Sequence, residues 1–214
     1  MESQDLTKQI SEKAREAYHV YRVVVQFRDQ LHGGIPRSPE LIKGWLEARG
    51  MSDAAERTEQ ELGDQLLEKE ERAWNGFKSV NGSLVIEARQ VEACLKECAS
   101  VSGMTQRKEK RGLKQILQHG LFVAPPFIPL GKTLPDGCEE RAVHAMTRQG
   151  PRTALKRTDY VDKPRIEFTI KVLPRILTDA DLAELLALAQ ENGIGANRSQ
   201  GAGKCDIVEC ERIR

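Results

Sequence analysis

Aromatic residues are scarce in this chain, at 5% of 214 positions, while charged residues make up 30%. A core must therefore be mainly aliphatic and the surface heavily charged. No apolar run approaches the length that spans a bilayer, and nothing near the start resembles a signal peptide, so cytoplasmic placement without membrane contact is expected. The five cysteines are odd in number and lack paired spacing, which argues against a disulfide framework and for a reducing compartment. Cys94 and Cys98 lie one helical turn apart, but no second Cys or His pair matches them, so buried packing is expected there in place of a metal, and no cofactor is implied. No segment recurs, which excludes a repeat architecture within the chain. At 24.0 kDa, one sizeable domain is expected over 17–214 after a polar lead-in, 1–16.

Charge of one sign is also lacking overall, the formal net charge being +1, yet its distribution is uneven. From Ser38 to Asn75 there are ten Asp/Glu against five Lys/Arg, whereas from Met104 to Arg175 there are fifteen Lys/Arg against seven Asp/Glu. A basic portion of that kind suits a nucleic-acid surface, and an acidic one suits solvent or a protein partner; ordinary solvated faces are the alternative.

The most informative stretch is 164–209. Ile166, Phe168, Ile170 and Val172 alternate with Arg165, Glu167, Thr169 and Lys171, the period of a strand with one buried face. Thr178 followed by Asp181 forms a capping-box pattern, Leu182, Leu185, Leu186 and Ala189 repeat at helical spacing, and Gly193 supplies the stop. Then comes IGANRSQGAGK, in which Gly195, Gly201 and Gly203 surround Asn197, Arg198, Ser199, Gln200 and Lys204. Glycines let a backbone approach a ligand and turn successive N–H groups toward an anion, and Arg198 and Lys204 add charge suited to phosphate. A plain helix-to-strand connection is the alternative. A nucleotide P-loop is excluded: Arg198 stands where its first glycine belongs, Cys205 replaces Ser/Thr, and a strand follows in place of a helix.

Upstream, Tyr18 to Arg28 reads as a central strand with Tyr21, Val23, Val25 and Phe27 on one face and Val20, Arg22, Val24 and Gln26 on the other. Asp29 to Pro36 is turn-rich, with His32 expected as a surface residue. Residues 38–75 read as a helical insertion through Trp74. A hairpin around Asn81-Gly82, a strand and a helix from about Arg89 follow. Thr105 to Lys114 is the densest basic cluster. The prolines of LFVAPPFIPL confine 121–130 to an edge or covering segment. Two extended stretches joined at Arg148-Gln149-Gly150-Pro151-Arg152 predict a basic hairpin over 138–162.

Strand, helix and a G-x-G-x-N-R-S-x-G-x-G-K loop running into a strand resemble the C-terminal half of the RAMP superfamily, the RNA-binding proteins of CRISPR systems. The likeness is greatest to their guide-binding backbone subunits. The resemblance implies an α+β, ferredoxin-like (RRM-like) sheet with a helical insertion and a basic hairpin thumb. It implies a non-catalytic subunit, assembled beside copies of itself and possibly other effector subunits along single-stranded nucleic acid, with guide RNA as the partner. The ligand set it implies joins the loop residues to Arg148, Arg152, Lys156 and Arg157 of the hairpin, with Arg22, Gln26, Arg89 and Lys96 as lesser candidates. Glu87, Arg89 and Gln90 replace the small residues and lysines usual at that helix start. Asp29 stands where some backbone subunits carry an acidic residue for metal-dependent RNA cleavage, but its flanking residues differ from that subfamily. Three rivals remain: an endoribonuclease using His32 or Asp29 with Arg198 or Lys204, a solitary viral or mobile-element protein coating RNA or single-stranded DNA, and a protein-interaction scaffold that binds no nucleic acid.

Overall fold

The computed structural model describes the backbone of residues 2–36, 74–104, 113–147 and 150–214, and side chains within them except at 2–5, 11, 14–15, 113–116, 142–147 and 150–155. The chain is α+β. In order come α1 (Glu2–Glu16), β1 (His19–Phe27), β2 (Gln30–His32), β3 (Ile35–Pro36), β4 (Trp74–Gly76), β5 (Lys78–Val80), β6 (Ser83–Glu87) and α2 (Ala88–Val101). Then follow α3 (Leu113–Gly120), β7 (Leu121–Ala124), β8 (Phe127–Pro129), β9 (Gly137–Thr147), β10 (Gly150–Asp162), β11 (Arg165–Val172), α4 (Asp179–Asn192), a 3₁₀ turn (Arg198–Gln200) and β12 (Cys205–Arg212). Among the described residues no helix is long and apolar enough to cross a membrane.

The alternation of 19–27 and 165–172 becomes the centre of a four-stranded antiparallel sheet in the order β12-β1-β11-β7. Val23, Val25 and Phe27 face the same core as Ile166, Phe168 and Ile170, and each fully buried side chain of this size adds about 1.5–3 kcal/mol. Helices α2 and α4 cover that core with Val91, Leu95, Leu182, Leu185 and Leu186. The start of α4 is the capping box expected at Thr178 and Asp181, and Gly193 ends it at φ 79°. The Cys94 thiol donates to Gly193 O at 3.1 Å and Cys98 is buried beside it, so this pair ties α2 to the end of α4.

The opposite face of the sheet is closed by charge. Val24 is flanked across the register by Glu167 of β11 and Glu209 of β12. Arg22 reaches over it, its Nε and Nη2 on Glu167 at 2.7 and 2.8 Å and its Nη1 on Glu209 at 2.9 Å. That clamp lies over Val24, which is only 2% exposed. Arg22 is thus engaged as a cross-strand fastener, where the sequence offered it as a nucleic-acid ligand.

A second sheet carries the long hairpin. β9 and β10 pair from Gly150↔Thr147 to Tyr160↔Gly137. The base of β10 is held by β2 at Tyr160↔His32 and, in parallel, by β4 at Arg157↔Trp74. Trp74 and Asn75 are therefore strand, not the end of a helix, and Trp74 Nε1 donates to Asp159 Oδ1 at 2.6 Å. The rest of the expected insertion at 38–73, the basic cluster at 105–112, and Arg148 lie outside the described residues. Asn81 and Gly82 form the hairpin turn at φ 50° and 77°, and the proline-rich run supplies edge strands β7 and β8. Residues 2–16, expected as a frayed lead-in, form α1, with Leu6 and Ile10 exposed.

Two substitutions test this account by urea unfolding. Arg22→Ala is expected to lower the unfolding midpoint, because it uncovers Val24 and leaves Glu167 and Glu209 facing each other; an unchanged midpoint would remove the clamp from the fold's support. Thr178→Ala is expected to cost about 1 kcal/mol through loss of the helix cap.

Candidate nucleic-acid interface

Glycine frees a backbone for two different uses, approach to a ligand and approach to the chain itself. The loop from Gly193 to Lys204 makes the second. Ala196 N–H donates to His32 O and Gly203 N–H to Gln30 O, while Ile194 N–H donates to Gly203 O. Gln200, Gly201 and Ala202 N–H groups donate back to Asn197 O, Arg198 O and Asn197 O. These amides point inward, where the sequence suggested that successive N–H groups face an anion. A Cβ at Gly203, whose φ is +77°, would meet Ile194 O at 2.0 Å, and one at Gly195 would meet Leu31 Cδ1 at 2.7 Å. Gly195 lets the loop fold onto β2, and Gly203 lets the loop close on its own start at Ile194.

The side chains then form a polar interlock. Lys156 Nζ donates to Asn197 Oδ1 at 3.3 Å, and Asn197 Nδ2 lies 2.9 Å from His32 Nδ1. An ammonium has only hydrogens to offer, so the amide oxygen must face Lys156 and its NH2 must face the histidine. His32 Nδ1 is then an acceptor, and the neutral ring carries its proton on Nε2, 3.2 Å from Gln30 Oε1. Glu139 Oε2 lies 3.5 Å from the same nitrogen. Arg141 bonds Glu139 at 2.7 Å and, through Nη1, Gln200 Oε1 at 2.9 Å. The Tyr160 ring lies beside the imidazole. His32 is 2% exposed, not a surface residue, because β2 pairs with a strand more than a hundred positions away. Burial pushes its pKa below the ordinary value, with Arg141 and Lys156 adding to that and Glu139 opposing it.

Around this interlock most cations already hold a carboxylate. Arg198 Nη2 lies 2.7 Å from Glu97, Lys204 Nζ 3.2 Å from Glu191, and Arg28 Nη2 2.7 Å from Asp206 while its Nη1 also takes Glu191. Among the described residues, those joined in these contacts comprise five cations (Arg28, Arg141, Lys156, Arg198, Lys204) and four carboxylates (Glu97, Glu139, Glu191, Asp206), a balance of +1. An open groove of about 560 Å³ runs between Glu97 and Arg198 on one side and Glu191 on the other, with Asn197 and Ser199 in its wall. Among the described residues no group of three or more His, Cys, Asp or Glu is arranged to hold a metal ion.

Of the residues singled out from sequence, Lys156, Gly195, Asn197, Arg198, Ser199, Gln200, Gly201, Gly203 and Lys204 come together here. Arg22 lies on the outer sheet face, and Arg89 sits at the start of α2 with Glu87 as its partner. Lys96 pairs with Glu92 at 3.8 Å. By strand alternation Arg157 points to the hairpin face opposite Lys156, where it holds Glu140 at 2.6 Å. The side chain of Arg152 is outside the described set. Arg28 and Arg141 were missed, although Arg141 stands in the basic stretch on the strand facing Lys156, a position its register shares.

No protein-family model and no curated protein sequence matches this chain. Solved structures do match, among them a chain of the "Cryo-EM structure of the Type III-B Cmr-beta bound to cognate target RNA", at 12% identity over 100% of this chain and 67% of that one, with a TM-score of 0.47. Identity and score at that level fix neither a family nor a shared function.

Two outcomes test the interlock. As pH falls through about 6.5 the unfolded chain takes up the histidine proton before the folded one does, so stability is lost from there downward. His32→Gln is expected to flatten that part of the curve of melting temperature against pH; an unchanged slope would show that His32 does not report on the fold. Gly203→Ala is expected to destabilise by about 2 kcal/mol or more in urea unfolding, since the new methyl collides with backbone.

Proposed function

We propose that this chain binds single-stranded nucleic acid, with the guide RNA of a CRISPR-type complex as its partner, and that it holds the strand without cutting it. Several copies lie side by side along the strand in the cytoplasm, and other effector subunits join them. The observation that carries the reading is the joining of hairpin and loop. Lys156 bonds Asn197 and Arg141 bonds Gln200, so cations of the hairpin are tied to the loop that carries Lys204 and Arg198, the latter lining the groove. Polar and charged side chains of that kind grip a phosphate backbone without reading base edges. The order β12-β1-β11-β7, with α2 and α3 between β1 and β7 and α4 between β11 and β12, supports a ferredoxin-like reading of the sheet and agrees with the RAMP resemblance of the loop.

Holding is favoured over cleavage by the state of His32. Its ring is buried, and its two nitrogens face Asn197 and Gln30, so neither is presented to a ribose hydroxyl as a general base must be.

Fluorescence anisotropy with a labelled uridine oligonucleotide tests the reading. The full chain is expected to bind with an affinity that falls steeply as salt rises. Combined replacement Lys156→Ala, Arg198→Ala and Lys204→Ala is expected to weaken binding at least about tenfold and to flatten the plot of log affinity against log salt by about two. Unchanged affinity in that variant would refute the assignment, and magnesium-dependent or magnesium-independent cuts in the oligonucleotide, lost on His32→Ala or Asp29→Ala, would replace it with the enzymatic rival.

A further inference from the structure

The groove beside the loop is not a basic cleft, because Arg198 in its lining is held by Glu97, and Lys204 nearby is held by Glu191, which also lines it. Arg198 contacts Glu97 through Nη2, while its buried Nη1 has no hydrogen-bond partner. The pair therefore lacks the two-pronged fork that makes arginine–carboxylate bonds strong. Glu191 is shared between Lys204 and Arg28. In both cases the carboxylate is the outer partner: the side chains of Glu97 and Glu191 are 49% and 61% exposed, against 27% and 44% for Arg198 and Lys204. The cations sit against the protein, and the anions sit on its solvent side with water to receive them.

The geometry points to Glu97 and Glu191 as built-in competitors that set which anions the groove admits, excluding single phosphates and admitting a run of them. This rests on the nucleic-acid reading above and adds a selection rule to it. An exposed ion pair is worth between about 0 and 1 kcal/mol, so one phosphate that displaces one carboxylate exchanges like for like and gains little. A strand whose first phosphate has landed presents the next at a high local concentration, and successive exchanges then add up. Arg28 and Lys204 hold Glu191 well below the usual carboxylate range, which keeps this competitor charged under ordinary conditions. The selection therefore operates without any change of pH.

Anisotropy on the full chain tests the rule, using labelled uridine oligonucleotides of two lengths, with uridine monophosphate and inorganic phosphate as competing probes. Glu97→Gln with Glu191→Gln is expected to tighten binding of the longer oligonucleotide about tenfold at moderate salt. It is also expected to let the shorter one and uridine monophosphate compete where they do not compete on the natural chain. Each single variant carries part of the effect and serves as the readout if the double variant does not fold. The pair Glu12→Gln with Glu16→Gln makes the same change in net charge on α1, which precedes the far end of β1, and is expected to leave affinity unchanged. The inference is overturned if the groove variants bind no tighter than the natural chain, or if the control pair tightens binding equally, and in either case the nucleic-acid reading survives. Absence of binding by the natural chain and by every variant at low salt would overturn the reading and the inference together.

Discussion

The carboxamide of Asn197 holds together three pieces of chain that have no local reason to meet. Its oxygen takes Lys156 from the hairpin and its nitrogen gives to His32 from β2, while its own backbone starts the 3₁₀ turn that carries Arg198. Each partner fixes the next. The ammonium sets the amide rotamer, the amide sets the imidazole tautomer, and the tautomer directs the remaining ring proton to Gln30. Such a chain is strong only when every member is satisfied, because an unpaired polar group in a buried site costs more than its bond returns. Replacing Asn197 by an apolar residue would leave Lys156 and His32 without their partner and separate the loop from the hairpin, even though no core residue had changed.

That dependence explains what could be read from the sequence. Strands β1 and β11 were legible because a half-buried strand repeats every two residues, and Ile166 through Val172 keep that repeat without interruption. The start of α4 was legible because Thr178 and Asp181 act within one turn, and the Asn81-Gly82 turn because it needs positive φ at both positions. Each of these is a local requirement. His32 was not legible: its burial follows from pairing with Tyr160, and no pattern within 29–36 announces that. The glycines of the loop were legible as glycines, but the same residue permits a chain to approach a phosphate or another peptide. Only the folded loop shows that Gly203 faces Ile194, and only the position of β2 shows that Gly195 faces Leu31.

Charge was the other long-range unknown. A basic residue in a sequence advertises one charge, whereas its effect in the folded chain depends on what the fold brings beside it. Arg22 meets Glu209 across 187 positions and Arg28 meets Asp206 across 178, so neither appears as free charge at the surface. The near-neutral formal charge of the chain thus recurs at the scale of the groove. On the proposed reading, affinity for a polyanion arises from exchange of partners. That makes geometry matter more than total charge, because cations must be spaced to meet several phosphates at once.

The short strand β2 supplies that geometry. Only Arg28 and Asp29 separate it from β1, which is the centre of the four-stranded sheet, yet β2 itself pairs with β10 of the hairpin. Its other side receives the loop, through Gly203 N–H on Gln30 O and Ala196 N–H on His32 O. Three residues are therefore bonded to the hairpin on one side and to the loop on the other, and are tethered to the core at their start. Displacement of the hairpin base relative to the loop would have to break backbone bonds of β2 as well as the Asn197 interlock. The spacing between the segments that carry Lys156, Arg198 and Lys204 is thereby set by backbone pairing, which lets side chains of the hairpin and the loop act as one surface.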